Sequence, residues 1–251
     1  MALGKYELNN IYNEDCYEAI KSIPDKSIDL IYTDPPYDFH CGSAHSSGIF
    51  KNRIFKPGQD VIDLKINNGI DNSILEEFCR VMKSINIFIW CNKEQILDYL
   101  NFFLNIPNIS FEILTWHKTN CTPLTKNTWL PDTEYCLYFR ERKKVILNDG
   151  YDLKSKYYVS SQNKSDKNNF QHPTIKPLEF VKQHILHTTL EGEIILDPFM
   201  GSGTTAVACK ELGRNFIGFE IDKKFHKIAV DRVNGITANG QTTIFTDFDN
   251  L

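Results

Sequence analysis

Residues 194–206 have the sequence IILDPFMGSGTTA, in which an apolar run leads into a turn with two glycines. The run predicts a buried strand that ends at Asp197, and the residues from Thr204 onward have helical spacing. Gly201 and Gly203 allow the backbone to approach a ligand closely, and the start of the following helix offers unpaired N–H groups. A strand, a glycine turn and a helix in this order predict a nucleoside site in an α/β fold.

The acidic residues beside this turn narrow the choice of ligand. The next predicted strand ends at Glu220, where a carboxylate can accept hydrogen bonds from both hydroxyls of a ribose. A nicotinamide dinucleotide fits the loose GxGxxA pattern of residues 201–206, although that pattern usually opens the first βαβ unit. A phosphate-binding P-loop is excluded, because the turn contains no lysine beside Thr204. S-adenosylmethionine fits best, since it carries no phosphate and Asp197 can face its ammonium group.

A second turn, residues 33–37 with the sequence TDPPY, follows the apolar run that ends at Tyr32. Two consecutive prolines cannot continue a strand, so we expect a fixed, extended turn at the carboxyl edge of the sheet. There, Asp34 and the carbonyl of Pro35 can accept the two N–H protons of an exocyclic amine, and Tyr37 can stack on the ring that carries it. A turn that merely ends a strand is the weaker interpretation beside the glycine motif.

The rest of the chain alternates short apolar runs with stretches of helical spacing. Near-continuous apolar strands separated by helices predict an α/β fold with a doubly wound, mostly parallel sheet that helices cover on both faces. Strands are predicted at 27–33, 85–90, 111–116, 134–139, 193–197 and 215–220, and helices at 72–83, 93–103, 178–189, 204–212 and 222–233.

Composition excludes several classes of protein. The chain has 251 residues, with neither an apolar run long enough to span a membrane nor an apolar leader at its start, so we expect a cytoplasmic protein without a disulfide framework. His40, Cys41 and His45 approach a metal-ligating cluster, but a polar loop is the simpler interpretation and no metal is predicted. Considered alone, the net charge of −4 does not indicate a nucleic-acid partner. Residues 138–170 are nevertheless rich in basic side chains, as either a phosphate-contacting module or a solvated loop would be.

Taken together, the TDPPY and glycine turns resemble those of the permuted (β-class) DNA amino-methyltransferases, in which the catalytic loop precedes the cofactor motif. Further segments are similar to that family in the same order: NEDC at 13–16, WHKTN at 116–120 and HPTIKP at 172–177. The resemblance is strongest to adenine-N6 enzymes of restriction–modification systems. It implies one domain over 1–251, encoded by a bacterium or a phage, with the seven-stranded-type sheet of S-adenosylmethionine-dependent methyltransferases.

The chemistry follows from the same resemblance. A methyl group would pass from S-adenosylmethionine to N6 of an adenine flipped out of DNA. Asp34, the residue before the two prolines of the TDPPY loop, favours adenine, and cytosine N4 is the alternative. The implied catalytic residues are Asp34, Pro35, Pro36 and Tyr37. The implied cofactor contacts are Asp15, Asp34, Lys176, Asp197, Phe199, Gly201, Ser202, Gly203, Thr204 and Glu220.

The resemblance also places target recognition between the WHKTN and HPTIKP segments, at 121–171. The implied DNA contacts are Lys118, Arg140, Arg142, Lys143, Lys144, Lys154 and Lys156. Residues 38–68 are expected to form a mobile loop that closes over DNA, and a homodimer is expected because enzymes of this class often pair. Both duplex and single-stranded DNA are compatible with these features as the substrate, and three competing classes of protein are also compatible with them. These classes are a nicotinamide-binding oxidoreductase, which has no use for a rigid TDPPY loop, a non-catalytic DNA-binding protein, and an RNA or protein methyltransferase.

Overall fold

The computed structural model of the protein describes residues 2–37, 70–121, 129–143, 154–161 and 175–236. The predicted loop at 38–68 lies outside these residues. The strands are β1 (Ala2–Leu3), β2 (Tyr6–Glu7), β3 (Asn10–Tyr12), β4 (Leu30–Thr33), β5 (Asn86–Cys91), β6 (Ile109–Lys118), β7 (Thr133–Glu141), β8 (Tyr157–Ser160), β9 (Ile194–Asp197) and β10 (Asn215–Phe219). The α-helices are α1 (Cys16–Ala19), α2 (Asn72–Val81), α3 (Ile96–Phe103), α4 (Leu178–Thr188), α5 (Thr204–Glu211) and α6 (Lys223–Val233).

The main sheet of the described residues has eight strands in the order β3-β10-β9-β4-β5-β7-β6-β8. Strand β7 is antiparallel to both of its neighbours, β5 and β6, and all other neighbouring strands are parallel. The predicted mostly parallel sheet is therefore confirmed. The seven strands from β3 to β6 in this order match the expected seven-stranded sheet. Strand β8, from within the region 121–171, adds an eighth strand at the edge.

Helices cover both faces of the sheet, because alternate residues of its central strands point to opposite sides. On one face, Ile31 and Ile87 pack in a core with Phe78 of α2 and Phe103 of α3. The other face carries a separate core in which aromatic side chains from the same two central strands meet the remaining long helices. Its members include Tyr32, Phe88, Phe180 of α4, Ala206 of α5 and Ala229 of α6. This three-layer arrangement confirms the predicted doubly wound fold.

Most predicted elements occur within a few residues of their expected ends, and the differences have local causes. Helix α2 ends before Lys83 because Met82 adopts extended dihedral angles and forms a bridge with Ile28. Helix α3 begins at Ile96 because Asn92 and Gln95 exchange side-chain hydrogen bonds with each other's backbone N–H groups. Strands β1, β2, β3 and β8 were not predicted. The first three have only two or three residues each, and the four residues of β8 lie within a polar, basic stretch.

The position of the site follows from the strand order. Strands β4 and β9 are parallel neighbours, with Ile31 beside Leu196, and from this pair the chain winds outward in both directions. The crevice outside the carboxyl ends of such a pair is the usual ligand site of an open α/β sheet. Residues 34–37 leave the end of β4 and residues 198–203 leave the end of β9, so the two turns noted in the sequence meet at this crevice.

Two features are absent from the described residues. None of their helices combines the length and the apolar character that a transmembrane segment needs. They contain no cluster of three or more His, Cys, Asp or Glu side chains that could hold a metal ion, and the segment with His40, Cys41 and His45 lies outside them.

Candidate active site

The TDPPY turn leaves β4 as a partly buried loop. Pro35 is buried, whereas Asp34, Pro36 and Tyr37 keep part of their surface exposed. The side chain of Asp34 is 30% exposed, which leaves its carboxylate accessible from the crevice. The turn therefore offers a carboxylate, a rigid backbone and an aromatic ring together, as the sequence predicts.

Lys176 contacts this turn directly. Its Nζ atom donates a hydrogen bond of 2.5 Å to Oδ2 of Asp34 and one of 3.2 Å to the hydroxyl of Tyr37. The same ammonium group lies 4.9 Å from the ring centre of Trp90, which is fully buried. The family resemblance implies Lys176 as a cofactor contact, and the structure places its ammonium group on the carboxylate of Asp34.

Glu134 completes an ionic cluster that sequence inspection missed. Its Oε2 atom lies 3.2 Å from Nζ of Lys176, and its other carboxylate oxygen pairs with Lys118. Glu134 stands near the start of β7, which is antiparallel to β5, so it reaches the edge where the parallel strands end. A charged residue at the beginning of the run EYCLYF was the available signal, but only the strand order gives it a meaning.

Burial and charge act in opposite directions on the members of this cluster. Burial raises the pKa of Asp34, and the ammonium group of Lys176 offsets part of that rise. Burial lowers the pKa of Lys176, but the charges of Asp34 and Glu134 outweigh it, so its pKa is raised and the group stays protonated. Burial raises the pKa of Glu134, but Lys176 and Lys118 outweigh it and the net pKa is lowered. Lys176 and Glu134 are therefore both charged near neutral pH.

The glycine turn is fixed by a carboxylate at the end of the neighbouring strand. Glu220 accepts hydrogen bonds from the backbone N–H of Gly201 at 2.8 Å and from that of Asp222 at 2.9 Å. Gly201 has a φ of 53° and Gly203 a φ of 79°, which is the left-handed region that favours glycine. Burial raises the pKa of Glu220, and the two backbone donors offset part of this rise.

Arg232 of α6 holds the same turn from the other side and was also missed by sequence inspection. It is 5% exposed, and its Nη1 atom donates to the hydroxyl of Thr204 at 2.7 Å and to the carbonyl of Ser202 at 3.2 Å. A side-chain donor therefore fixes the turn just before α5 begins. No local pattern distinguishes this arginine from a surface residue of an amphipathic helix.

Asp197 is buried at the end of β9, with 3% of its surface exposed. Its Oδ1 atom accepts a hydrogen bond of 3.1 Å from the backbone N–H of Phe199, which is half-buried. Burial raises the pKa of Asp197 to about 7 despite this bond. The group is consequently near its titration midpoint at neutral pH, and a cationic ligand beside it would favour the ionised form.

Asp15 reaches the same edge through β3, the strand beside β10. Its carboxylate caps α1 by accepting a hydrogen bond of 2.9 Å from the backbone N–H of Tyr17. The backbone N–H of Glu220 donates to the carbonyl of Tyr12, and Asn13 donates to the carbonyl of Glu220, so the ends of the two strands are tied together. The predicted acidic residues Asp15, Asp197 and Glu220 thus lie along one edge of the sheet.

The groups along this edge of the sheet fit S-adenosylmethionine. A cationic nucleoside without phosphate needs acceptors for an ammonium group and for ribose hydroxyls, and the carboxylates of Asp197 and Glu220 are acceptors of that kind. Gly201 and Gly203 contribute no side chains to the turn, so a ligand can approach its backbone closely at these two positions. The described part of the turn contains no basic side chain that would suit a pyrophosphate.

The predicted DNA contacts are dispersed rather than gathered at the site. Arg140 faces Asn86, the first residue of β5, whereas Tyr135 faces Cys91 at the end of that strand. Arg140, and with it the exposed Arg142 and Lys143 that follow, therefore lies about 17 Å along the sheet from the carboxyl edge, given a rise of about 3.3 Å per residue. The structure does not bring these basic residues together with the TDPPY turn.

The other predicted basic contacts have different surroundings. Lys118 is at the correct edge, but it pairs with Glu134 and its side chain is 11% exposed, so it belongs to the buried cluster. Lys156 is exposed and pairs with Glu112, and Lys154 is exposed. Lys144 and His172–Thr174 lie outside the described residues. The described part of region 121–171 contributes β7, an internal strand of the main sheet, and the edge strand β8.

Comparison with known proteins agrees with this geometry. The N6_N4_Mtase family, described as DNA methylase, matches residues 28–231. The type II methyltransferase M2.LlaDCHI of Lactococcus lactis subsp. cremoris is 32% identical over 246 residues, which cover 91% of each chain. The type II methyltransferase M2.DpnII of Streptococcus pneumoniae is 31% identical over 238 residues, covering 89% of this chain and 88% of the relative.

Solved structures show the same fold. The M1.HpyAVI–SAM complex has 27% sequence identity and a TM-score of 0.66, over 90% of this chain and 98% of the other. The PvuII DNA methyltransferase (cytosine-N4-specific) has 16% identity and a TM-score of 0.62, over 89% and 85%. These findings confirm the predicted S-adenosylmethionine-dependent methyltransferase fold and cofactor. The chain belongs to the DNA methylase family.

Proposed function

We propose that the protein is a site-specific DNA methyltransferase that moves a methyl group from S-adenosylmethionine to the exocyclic N6 of an adenine. The observation that carries this proposal is the accessible carboxylate of Asp34 at the switch point between β4 and β9, on the same edge as Asp197 and Glu220. Adenine is favoured over cytosine because the residue before the two prolines of the TDPPY loop is Asp34. The relatives, named type II methyltransferases, support a role in restriction–modification.

Asp34 and the carbonyl of Pro35 act on the target amine. The lone pair of that nitrogen is conjugated with the ring, and two hydrogen bonds from its N–H groups to these acceptors draw the nitrogen toward tetrahedral geometry. Its lone pair then forms the bond to the methyl carbon while the carbon–sulfur bond breaks. The methylated nitrogen finally releases one proton to solvent. Positioning of this kind can lower a barrier by several kcal/mol.

S-adenosylmethionine, when bound, supplies a methyl group on a positively charged sulfur, which leaves with the bonding electron pair. Asp197 would face its ammonium group, and Glu220 would accept from the ribose hydroxyls. Asp15 would lie near the adenine, with Phe199, Gly201, Ser202, Gly203 and Thr204 forming the turn beside it. Tyr37 would stack on the flipped target base, which offsets part of the few kcal/mol that flipping costs.

Three finer features belong to the same proposal. We expect the enzyme to act in the cytoplasm of a bacterial or phage-infected cell and to form a homodimer. The region 121–171 would contribute target recognition. The loop at 38–68 would close over DNA.

A methyl-transfer assay tests the proposed function. The protein is incubated with methyl-labelled S-adenosylmethionine and unmethylated DNA, both duplex and single-stranded, and the DNA is digested to nucleosides. We expect label in N6-methyladenine, and loss of that label in Asp34→Ala. The matched control is Asp98→Asn, because Asp98 is an exposed residue in the first turn of α3, outside the site.

The alternatives give different products. Label in N4-methylcytosine would overturn the choice of base and keep the mechanism. Label in RNA or protein but not in either form of DNA would overturn the substrate class. If NAD protected the protein against unfolding and S-adenosylmethionine did not, the assignment of S-adenosylmethionine as the cofactor would be contradicted.

A further inference from the structure

Two carboxylates and two ammonium groups alternate beside the catalytic loop, and they come from four different segments of the chain. Lys118 is the last residue of β6, Glu134 stands near the start of β7, Lys176 precedes α4 and Asp34 follows β4. Lys176 lies 3.2 Å from Glu134 and 2.5 Å from Asp34, so Glu134 is linked to the catalytic carboxylate through one ammonium group. No local sequence pattern requires this alternation.

The cluster is poorly solvated, which makes its charge balance important. The side chains of Lys176, Lys118 and Glu134 are 8%, 11% and 17% exposed. A buried charge is tolerated when it is paired, and removal of one partner leaves the other uncompensated. With Glu134 present, two positive and two negative charges balance. A neutral residue at this position would leave the two ammonium groups with only the carboxylate of Asp34.

We propose that Glu134 is a positioning residue for methyl transfer, which holds Lys176 against Asp34 and balances its charge so that Asp34 stays oriented toward the target amine. This inference rests on the proposed function of Asp34 as the acceptor. Glu134 acts through Lys176, so its contribution is to the geometry and the electrostatics of the acceptor.

The direction of the electrostatic effect can be derived from the contacts. The negative charge of Glu134 raises the pKa of Asp34, whereas Lys176 lowers it. Glu134→Gln removes the first influence and keeps the second, so the pKa of Asp34 falls and its carboxylate becomes a weaker acceptor. The cluster then also carries one excess positive charge. That excess opposes the positive charge that develops on the target nitrogen as it attacks the methyl carbon.

Kinetics of three variants test the inference. Glu134→Gln is nearly isosteric and removes the charge, Glu134→Asp keeps the charge on a shorter side chain, and Glu193→Gln is the matched control. Glu193 precedes β9 at the opposite edge of the sheet, where it accepts a hydrogen bond of 2.8 Å from the N–H of Leu190. We expect kcat to fall about 100-fold in Glu134→Gln, to recover in part in Glu134→Asp and to stay unchanged in the control. The dissociation constant for S-adenosylmethionine, measured by calorimetry, should change little in all three.

A titration that does not depend on activity completes the test. NMR of the carboxyl carbon of Asp34, assigned by comparison with Asp34→Asn, gives its titration midpoint, which should move to lower pH in Glu134→Gln and return in Glu134→Asp. An unmoved midpoint, or equal losses of kcat in the Gln and Asp variants, would overturn the positioning role. A wild-type protein that methylates no substrate would contradict the proposed function, and the titration would still decide whether Glu134 controls Asp34.

Discussion

Lys176 Nζ lies 2.5 Å from Asp34 Oδ2, although the two residues are 142 positions apart in the chain. The contact joins the loop after β4 to the segment before α4. It places a positive charge beside the carboxylate that is proposed to accept a hydrogen bond from the target amine. The pKa of this carboxylate therefore depends on a residue that belongs to a different motif of the sequence.

Removal of the positive charge at Lys176 should move the acidic limb of the pH–rate profile upward. Burial raises the pKa of Asp34 and Lys176 offsets that rise, so in Lys176→Met the pKa of Asp34 is higher than in the wild type. Because the acceptor must be ionised, the variant should lose most activity at the acidic end and recover as the pH rises. The measurement is kcat as a function of pH. Lys182→Met is the control, since Lys182 pairs with Glu179 and Glu211 on the helices.

Loss of the carboxylate at Glu220 should weaken cofactor binding more than catalysis. Glu220 accepts from the N–H groups of Gly201 and Asp222, and a glutamine can present only one acceptor oxygen to these two donors. We expect the affinity of Glu220→Gln for S-adenosylmethionine to fall by about tenfold or more, which corresponds to about 1.4 kcal/mol per factor of ten. Calorimetry measures this directly. An unchanged affinity, with Glu211→Gln as the control at the far end of α5, would contradict the role of Glu220.

Substitution of Gly203 should cost more stability than substitution of another glycine with the same backbone angle. Gly203 and Gly192 both have a φ of 79°, but a Cβ atom on Gly203 would lie 3.0 Å from Cα of Ala229, whereas one on Gly192 would meet nothing within 4 Å. Alanine in the left-handed region costs about 1–2 kcal/mol at either position. The free energy of unfolding in urea should therefore fall by about that amount in Gly192→Ala and by more in Gly203→Ala. Equal losses would show that α6 tolerates the added methyl group.

Cofactor affinity should depend on pH through Asp197. Burial raises its pKa to about 7, so the group is largely protonated below that value and ionised above it. Only the ionised form attracts an ammonium group, and affinity for S-adenosylmethionine should rise as the pH increases toward 7 and level off above it. The ratio of wild-type to Asp197→Asn affinity isolates this effect, because the titration of the ligand cancels. A ratio that stays constant from pH 5.5 to pH 8 would contradict the assignment.

The turns at 33–37 and 194–206 were predictable because their chemistry is local. Consecutive prolines end a strand wherever they stand, and glycines with a left-handed φ permit a tight turn before a helix. Asp34, Asp197 and Glu220 each stand at the end of a predicted strand, so their common edge could be inferred from the rule that parallel strands end together. Strands β3 and β8 could not be predicted in this way, because pairing with β10 and β6 stabilises sequences that carry no periodic signal.

The fold class, the TDPPY and glycine turns and the residues at each strand end could all be predicted from the amino-acid sequence, since they depend on local backbone preferences and on apolar patterning. Which charges meet depends on the tertiary structure. Because β7 is antiparallel to β5, Glu134 lies at the carboxyl edge of the parallel strands and Arg140 lies at the opposite edge. The segment before α4 places Lys176 against Asp34. A charged side chain in a sequence is compatible with many partners. Burial removes water as the alternative and leaves the partner that the strand order supplies.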